Sequence, residues 1–223
     1  MPKIVFDVET VGQDFETLDE TSKEYFLKFA ETEEKIKEAK ESLSFYPVTA
    51  QIVAIGMLEV ETEKGFVFYQ NGGGKPEKSK DGEITFLSGT EKEVLSNFWA
   101  TVKNYSPVIT FSGRVFDAPF VMIRSAINGI RSTKNLMPYR YGVNEHVDLQ
   151  DQLTFYDAVR RKFSLHMWCH AFGIKSPKEE GMTGLMVKDY YKQGRYLDIA
   201  RYCLGDVVAT KALYRYWEKY LKF

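Results

Sequence analysis

The order of its hydrophobic segments predicts that this chain folds as a three-layer α/β domain, with a mixed central sheet flanked by helices. Strand-like runs come first, strand and helix alternate through the middle, and helical patterns fill the chain from residue 164 onward. With 223 residues, 44% of them hydrophobic and 15% aromatic, the chain can bury one sizeable core, so residues 1–223 are expected to form a single domain.

Residues 3–9, KIVFDVE, read as a strand in which Val5, Asp7 and Glu9 share one face and Ile4, Phe6 and Val8 the other, because strand side chains alternate. The segment 13–45 is dense in Glu and Lys and strong in helix propensity. It carries Tyr25, Phe26, Phe29 and Ile36 among its charges, and is read as an inserted helix packed over the domain. QIVAIGMLEV at 51–60 and the aromatic run 66–69 predict a hairpin that extends the sheet. NGGGKPEKSKDGE at 71–83 reads as a loop and does not fit a phosphate-binding P-loop.

Thr90 followed by Glu93 is a capping-box start for a helix over 90–104, with Val94, Leu95, Phe98 and Trp99 at helical spacing. PVITFSG then reads as a buried strand, and DAPFVMIRSAINGI as a helix that begins near Asp117 and ends at Gly129. HVDLQD suits a short strand, and helices are expected around 164–172, 183–193 and 196–220.

Thirty basic residues against thirty-one acidic ones give a formal charge of −1, so there is no global cationic surface for nonspecific duplex binding. The opening MPKIVFDVET does not suit a secretory signal and no apolar run approaches a membrane span, so a cytoplasmic protein with no membrane partner is expected. Cys169 and Cys203 fall in apolar helical patterns that suit buried free thiols. His146, His166 and His170 lack the spacing of a metal set and are read as structural.

Five side chains fit a different chemistry: Asp7 and Glu9 in DVET, Asp117 in FSGRVFDAPF, and Tyr202 and Asp206 in YCLGD. Taken singly, each has a structural explanation. DVET suits acids at a strand end, Asp117 suits a helix N-cap, and Tyr202 with Asp206 suits a core aromatic beside a surface acid, with Asp198 a competing acid on the same helix face. Taken together, they offer converging hard oxygen ligands for two divalent cations, Mg²⁺ or Mn²⁺, and a phenol able to orient water, as hydrolysis of a phosphodiester requires. Asp7 and Glu9 lie two apart on a strand, while Tyr202 and Asp206 lie four apart on a helix, so each pair shares a face.

In this order the three motifs resemble those of the DEDD superfamily of 3′ to 5′ exonucleases, and the tyrosine resembles its DEDDy branch. HVDLQDQL and SLHMWCHAFGIKSP resemble the linking segment of proteins related to family B polymerase proofreading domains, and the likeness runs from residue 3 to about residue 217. The resemblance implies a ribonuclease H-like fold and release of nucleoside 5′-monophosphates from a 3′ end. It implies Asp7, Glu9, Asp117 and Asp206 as metal ligands, Tyr202 as the residue that orients the nucleophile, and Thr10, Val11, Ser112 and Phe116 as substrate contacts. Ser112 stands where relatives commonly carry Asn, and the charged insertion is unusual in size.

The expected partner is nucleic acid with a single-stranded 3′ end, single-stranded DNA in the first instance, in a stand-alone enzyme that could serve a replication or repair partner. Lys134, Tyr139, Arg140, Tyr141, Arg160, Arg161 and Lys162 are candidate strand contacts, against the alternative of a solvated loop and a charged helix face. The rival functions are a catalytically silent nucleic-acid-binding module or adaptor of the same fold, and an RNA-directed exoribonuclease.

Overall fold

The computed structural model describes residues 1–71, 76–176 and 182–223. Its strands are β1 (Ile4–Gly12), β2 (Ala50–Glu59), β3 (Gly65–Gln70), β4 (Glu77–Lys78), β5 (Ile84–Gly89), β6 (Val108–Thr110) and β7 (His146–Asp148). Among the described residues they form one sheet in the order β4-β5-β3-β2-β1-β6-β7. The sheet is mixed: β1 pairs antiparallel with β2 and parallel with β6, and β3 pairs antiparallel with β2 and parallel with β5.

The helices are α1 (Glu20–Leu27), α2 (Glu33–Glu41), α3 (Glu91–Val102), α4 (Asp117–Ile127), α5 (Leu149–Leu153), α6 (Leu165–Ala171), α7 (Val187–Lys192) and α8 (Tyr196–Tyr220). None among the described residues is long and apolar enough to cross a membrane. Alternation along β1 sorts its side chains between two cores. Ile4, Phe6 and Val8 join Val94, Phe98 and Trp99 of α3 and Phe120 of α4 on one face, while Val5 and Val11 join Ile199, Cys203 and Val207 of α8 on the other. This is the expected three-layer arrangement, and it turns the face carrying Asp7 and Glu9 toward α8.

The capping box at Thr90 is formed, with its hydroxyl accepting from Glu93 N–H and the Glu93 carboxylate accepting from Thr90 N–H. Trp99 Nε1 donates to Ser125 Oγ at 2.7 Å, joining α3 to α4 inside the core. The β1–β2 register shifts between Glu9 and Thr10, where Glu9 faces Ala54 but Thr10 faces Ile52. Val53 is therefore the extra residue of a β-bulge. Glu91 Oε1 accepts the Ile52 N–H at 2.8 Å, and the same carboxylate is clasped by Arg124, so the irregular backbone next to Glu9 is hydrogen-bonded.

Three expectations need correction. The insertion is two short helices, because Thr32 caps a fresh start: its hydroxyl accepts from Lys35 N–H, and Glu33 and Glu34 fill the first turn. Nor do its helices pack a buried face over the domain: neither has a buried residue, Tyr25 and Phe29 are 76% and 77% exposed, and the segment is anchored by buried Phe15 and Leu43 near its ends. Finally, the region read as a loop over 71–83 leads into strand structure that was not anticipated. Residues 72–75 lie outside the described residues, but Glu77–Lys78 pairs with β5 around a turn containing Asp81 and Gly82, the latter at φ 79°.

Candidate active site

β6 pairs with β1 only as far as Val5, so the two strands separate beyond that point and Val8 N–H has no ladder partner on that side. Asp117 Oδ1 accepts it at 3.0 Å. Asp117 is the first residue of α4, and Phe116 occupies the N-cap position without a side-chain bond. The capping role open in the sequence is thus replaced by a link that draws the Asp117 carboxylate across to β1.

Asp148, at the end of β7, shapes the approach to Asp117. Its carboxylate accepts from the N–H groups of Ser112, Arg114 and Gln150, each at 2.9 Å, and holds Ser112 at φ 60°. Sequence reasoning missed this residue, although an acid between a short strand and the helix α5 is itself a capping signal.

α8 completes the site. Glycine at position 56, opposite Asp7 in the β1–β2 ladder, lets this helix come close: a Cβ there would stand 2.9 Å from Val207 Cγ2 and 3.3 Å from the Cys203 carbonyl oxygen. Gly56 N–H donates to Cys203 Sγ at 3.2 Å, and that thiol in turn lies 3.4 Å from the Asp7 carbonyl oxygen. Cys169 and Cys203 are both buried free thiols, as expected, but Cys203 forms part of the floor beneath Asp7. Gly56→Ala should cost about 1–3 kcal/mol of stability through overpacking. Because it displaces α8, it should also weaken any metal-induced rise in melting temperature, which thermal scans with and without Mn²⁺ would measure.

The result is a tight acidic cluster. One ligand oxygen each from Asp7, Glu9 and Asp206 lies within 4.8 Å of the others. Glu9 and Asp117 are buried, whereas Asp7 and Asp206 keep partial access to solvent. Burial, reinforced by repulsion from Asp117, Asp206 and Glu9, holds the Asp7 carboxyl well above the usual carboxylate range. Glu9 is raised in the same way by burial and by Asp206 and Asp117. Burial pushes Asp117 up to about 7, against the opposing pull of its backbone hydrogen bonds. Tyr202 is half-buried, and burial, followed by the negative charges of Asp206, Glu9 and Asp7, raises its phenol, keeping it protonated.

Asp198 takes no part in the cluster: it is paired with Arg195 and Arg201. His146 is a core residue, bonded to Thr110 and to the Leu136 carbonyl, and burial lowers it to about 4. Of the four substrate contacts implied by resemblance, Thr10 and Phe116 line a cleft of about 790 Å³ that opens beside Glu9. Val11 does not line it: its side chain is 5% exposed and packs in the α8-side core. Ser112 sits in the turn braced by Asp148 and is not among the residues lining the cleft.

Several cations suggested as strand contacts are already engaged. Arg140 forms a two-pronged bond with Asp151, Lys134 donates to the Tyr105 carbonyl, and Lys162 pairs with Asp157. Tyr139 and Tyr141 are exposed and pack against each other, with Arg114 donating to the Pro138 and Tyr139 carbonyls beneath them.

The fold is shared with one part of a DNA polymerase. The family B DNA polymerase from the hyperthermophilic archaeon Pyrobaculum calidifontis superposes with a TM-score of 0.62 over 97% of this chain, at 16% sequence identity. The chain spans 24% of that polymerase, so the likeness is to one part of it and shows the ribonuclease H-like α/β fold alone. No match was found among curated proteins. A family model described as a predicted 3′–5′ exonuclease related to the exonuclease domain of PolB matches residues 44–221. That span contains Asp117, Tyr202 and Asp206, while Asp7 and Glu9 precede it and are joined to them by the fold. By that match this chain belongs to the family of predicted 3′–5′ exonucleases related to the exonuclease domain of family B DNA polymerases.

Proposed function

We propose that the protein is a metal-dependent 3′–5′ exonuclease that hydrolyses single-stranded nucleic acid to nucleoside 5′-monophosphates, with single-stranded DNA the substrate suggested by its likeness to part of a DNA polymerase. The observation that carries this reading is the convergence of Asp7, Glu9 and Asp206 within 4.8 Å, beside Asp117 and a neutral Tyr202. Carboxylates raised by burial and mutual repulsion are poorly satisfied without a counter-charge, and an all-oxygen donor set suits Mg²⁺ or Mn²⁺. Divalent cations held by Asp7, Glu9, Asp206 and Asp117 would supply activation of water and charge compensation at the departing 3′ oxygen.

The chain's own groups orient the reaction. The Tyr202 hydroxyl, beside Asp206 and protonated throughout the physiological range, is suited to hold the attacking water by a hydrogen bond and not to remove its proton. Attack of that water on phosphorus breaks the bond to the 3′ oxygen, which takes up a proton and leaves the terminal nucleotide as a 5′-monophosphate. Thr10 and Phe116, which line the cleft with Glu9, would bound the terminal nucleotide.

The test is release of mononucleotides from a 3′-labelled oligonucleotide in Mg²⁺ or Mn²⁺. Oligonucleotide binding without metal-dependent cleavage by the intact protein would instead identify a silent binding module. Asp117→Asn provides an internal check. Its amide oxygen can still accept Val8 N–H, so melting temperature in EDTA should hold within a few degrees while turnover falls at least about tenfold. Near-normal turnover in that variant would remove Asp117 from the site.

A further inference from the structure

We infer that the end of the charged insertion and helix α7 form a clamp for single-stranded nucleic acid, with Phe45 as a base-stacking surface and Lys188 and Lys192 as backbone contacts. The inference takes its strand polarity from the hydrolase reading above, but its binding claim does not depend on turnover. The cleft beside Glu9 has two walls. One is the return of the insertion, where Ser44 and Phe45 come to lie against β1 because Thr10 Oγ1 donates to the Ser44 carbonyl at 2.7 Å. Gly12 makes that close approach possible, since a Cβ there would stand 2.7 Å from Ser44 N.

The other wall is α7. Lys188 and Lys192 are four apart and therefore on one helix face, both line the cleft, and among the described residues neither has an ion-pair partner. Lys40, on the insertion side, is by contrast occupied by Glu16 and the Phe15 ring. Phe45 is 55% exposed, a large aromatic left open to solvent at the cleft wall.

An exposed aromatic and two cations that have no ion-pair partner among the described residues, all lining one cleft, are the combination that grips a single strand, since every base has a face to stack and every linkage a charge to neutralise. The cleft volume, about 790 Å³, lies in the range of roughly 300–1,000 Å³ typical of sites that enclose a small ligand. That is room for a strand end entered singly. Glu41 and Asp189 on the same walls repel phosphates, so the attraction rests on the two α7 lysines.

The test is fluorescence anisotropy of short labelled oligothymidylate and oligouridylate with the full chain in Ca²⁺, over a range of salt concentrations. Phe45→Ala should weaken binding of the bound strand about tenfold or more. Lys188→Gln with Lys192→Gln should weaken it similarly and reduce the slope of log affinity against log salt by about 1.4, the value for two phosphates of a single strand. Lys103→Gln, beyond α3 on the opposite layer, should change neither. Variants that bind with the affinity and salt slope of the intact chain, or failure of the intact chain to bind either strand, would overturn the clamp. If the variants lose binding but the intact chain releases no nucleotide with metal, the clamp stands and the hydrolase reading falls. If nucleotide is released but the variants bind normally, the reverse holds.

Discussion

Asp7→Ala or Asp206→Ala should reduce metal-dependent nucleotide release by at least about a thousandfold, the scale of loss when a principal electrostatic stabiliser of a transition state is removed. The two residues share the tightest part of the cluster; Asp206 raises the proton affinity of Asp7 and Glu9, and Asp7 that of Tyr202 and Cys203. Removing either relieves repulsion in the metal-free protein, so melting temperature in EDTA should stay level or rise. That pairing of lost activity with undiminished stability separates a functional acid from a structural one. Single-turnover rates and melting curves on the same samples measure both, and substantial turnover in either variant would exclude that residue from the site.

Metal should stabilise the chain increasingly as pH rises. In the metal-free protein Asp117 is raised to about 7, with Asp7 and Glu9 also raised, whereas an unfolded Asp titrates near 3.9. Between about pH 4 and 7 the native state therefore holds more protons than the unfolded state, and stability from this cluster falls as pH rises through that window. Metal binding requires the deprotonated carboxylates, so its stabilisation grows over the same window. At a metal concentration a hundred times the dissociation constant the gain is about 2.7 kcal/mol. For a chain of this size that corresponds to roughly 5–11 °C. Melting curves in Mn²⁺ and in EDTA from pH 5 to 8 should diverge progressively; a constant or shrinking gap would contradict a carboxylate-held metal.

What the sequence revealed, and what it hid, divides along physical lines. The period-two pattern of β1 placed Asp7 and Glu9 on one face, and the four-residue spacing on α8 placed Tyr202 beside Asp206, because such relations are set by local geometry. The Thr90 capping box was equally local. Gly56 was different: its function as clearance for α8 exists only once β2 lies beneath Cys203 and Val207. The link from Asp117 to Val8 likewise depends on where β6 and β1 part company.

β5 escaped notice because its short alternation, with Ile84 and Phe86 buried, follows a glycine-rich charged stretch that draws the reading toward a loop. The Thr32 cap that splits the insertion was legible, yet the high helix propensity on both sides concealed it. Charge in the sequence alone is also a poor guide to strand contacts. Arg140 and Lys134 stand beside aromatics in sequence but are consumed by Asp151 and a backbone carbonyl, while the cleft is lined by Lys188 and Lys192.

Hydrolysis from a 3′ end at the acidic cluster is read most plainly from its products. The most direct measurement compares the products formed by the intact chain from single-stranded DNA with a free and with a blocked 3′ terminus, in Mn²⁺ and in EDTA, with matched duplex DNA and RNA alongside. The expected result is stepwise release of nucleoside 5′-monophosphates from the free 3′ end of the single strand, dependent on metal and suppressed by the block. Release from the 5′ end, internal cuts insensitive to the block, or no release from any of these substrates would contradict it.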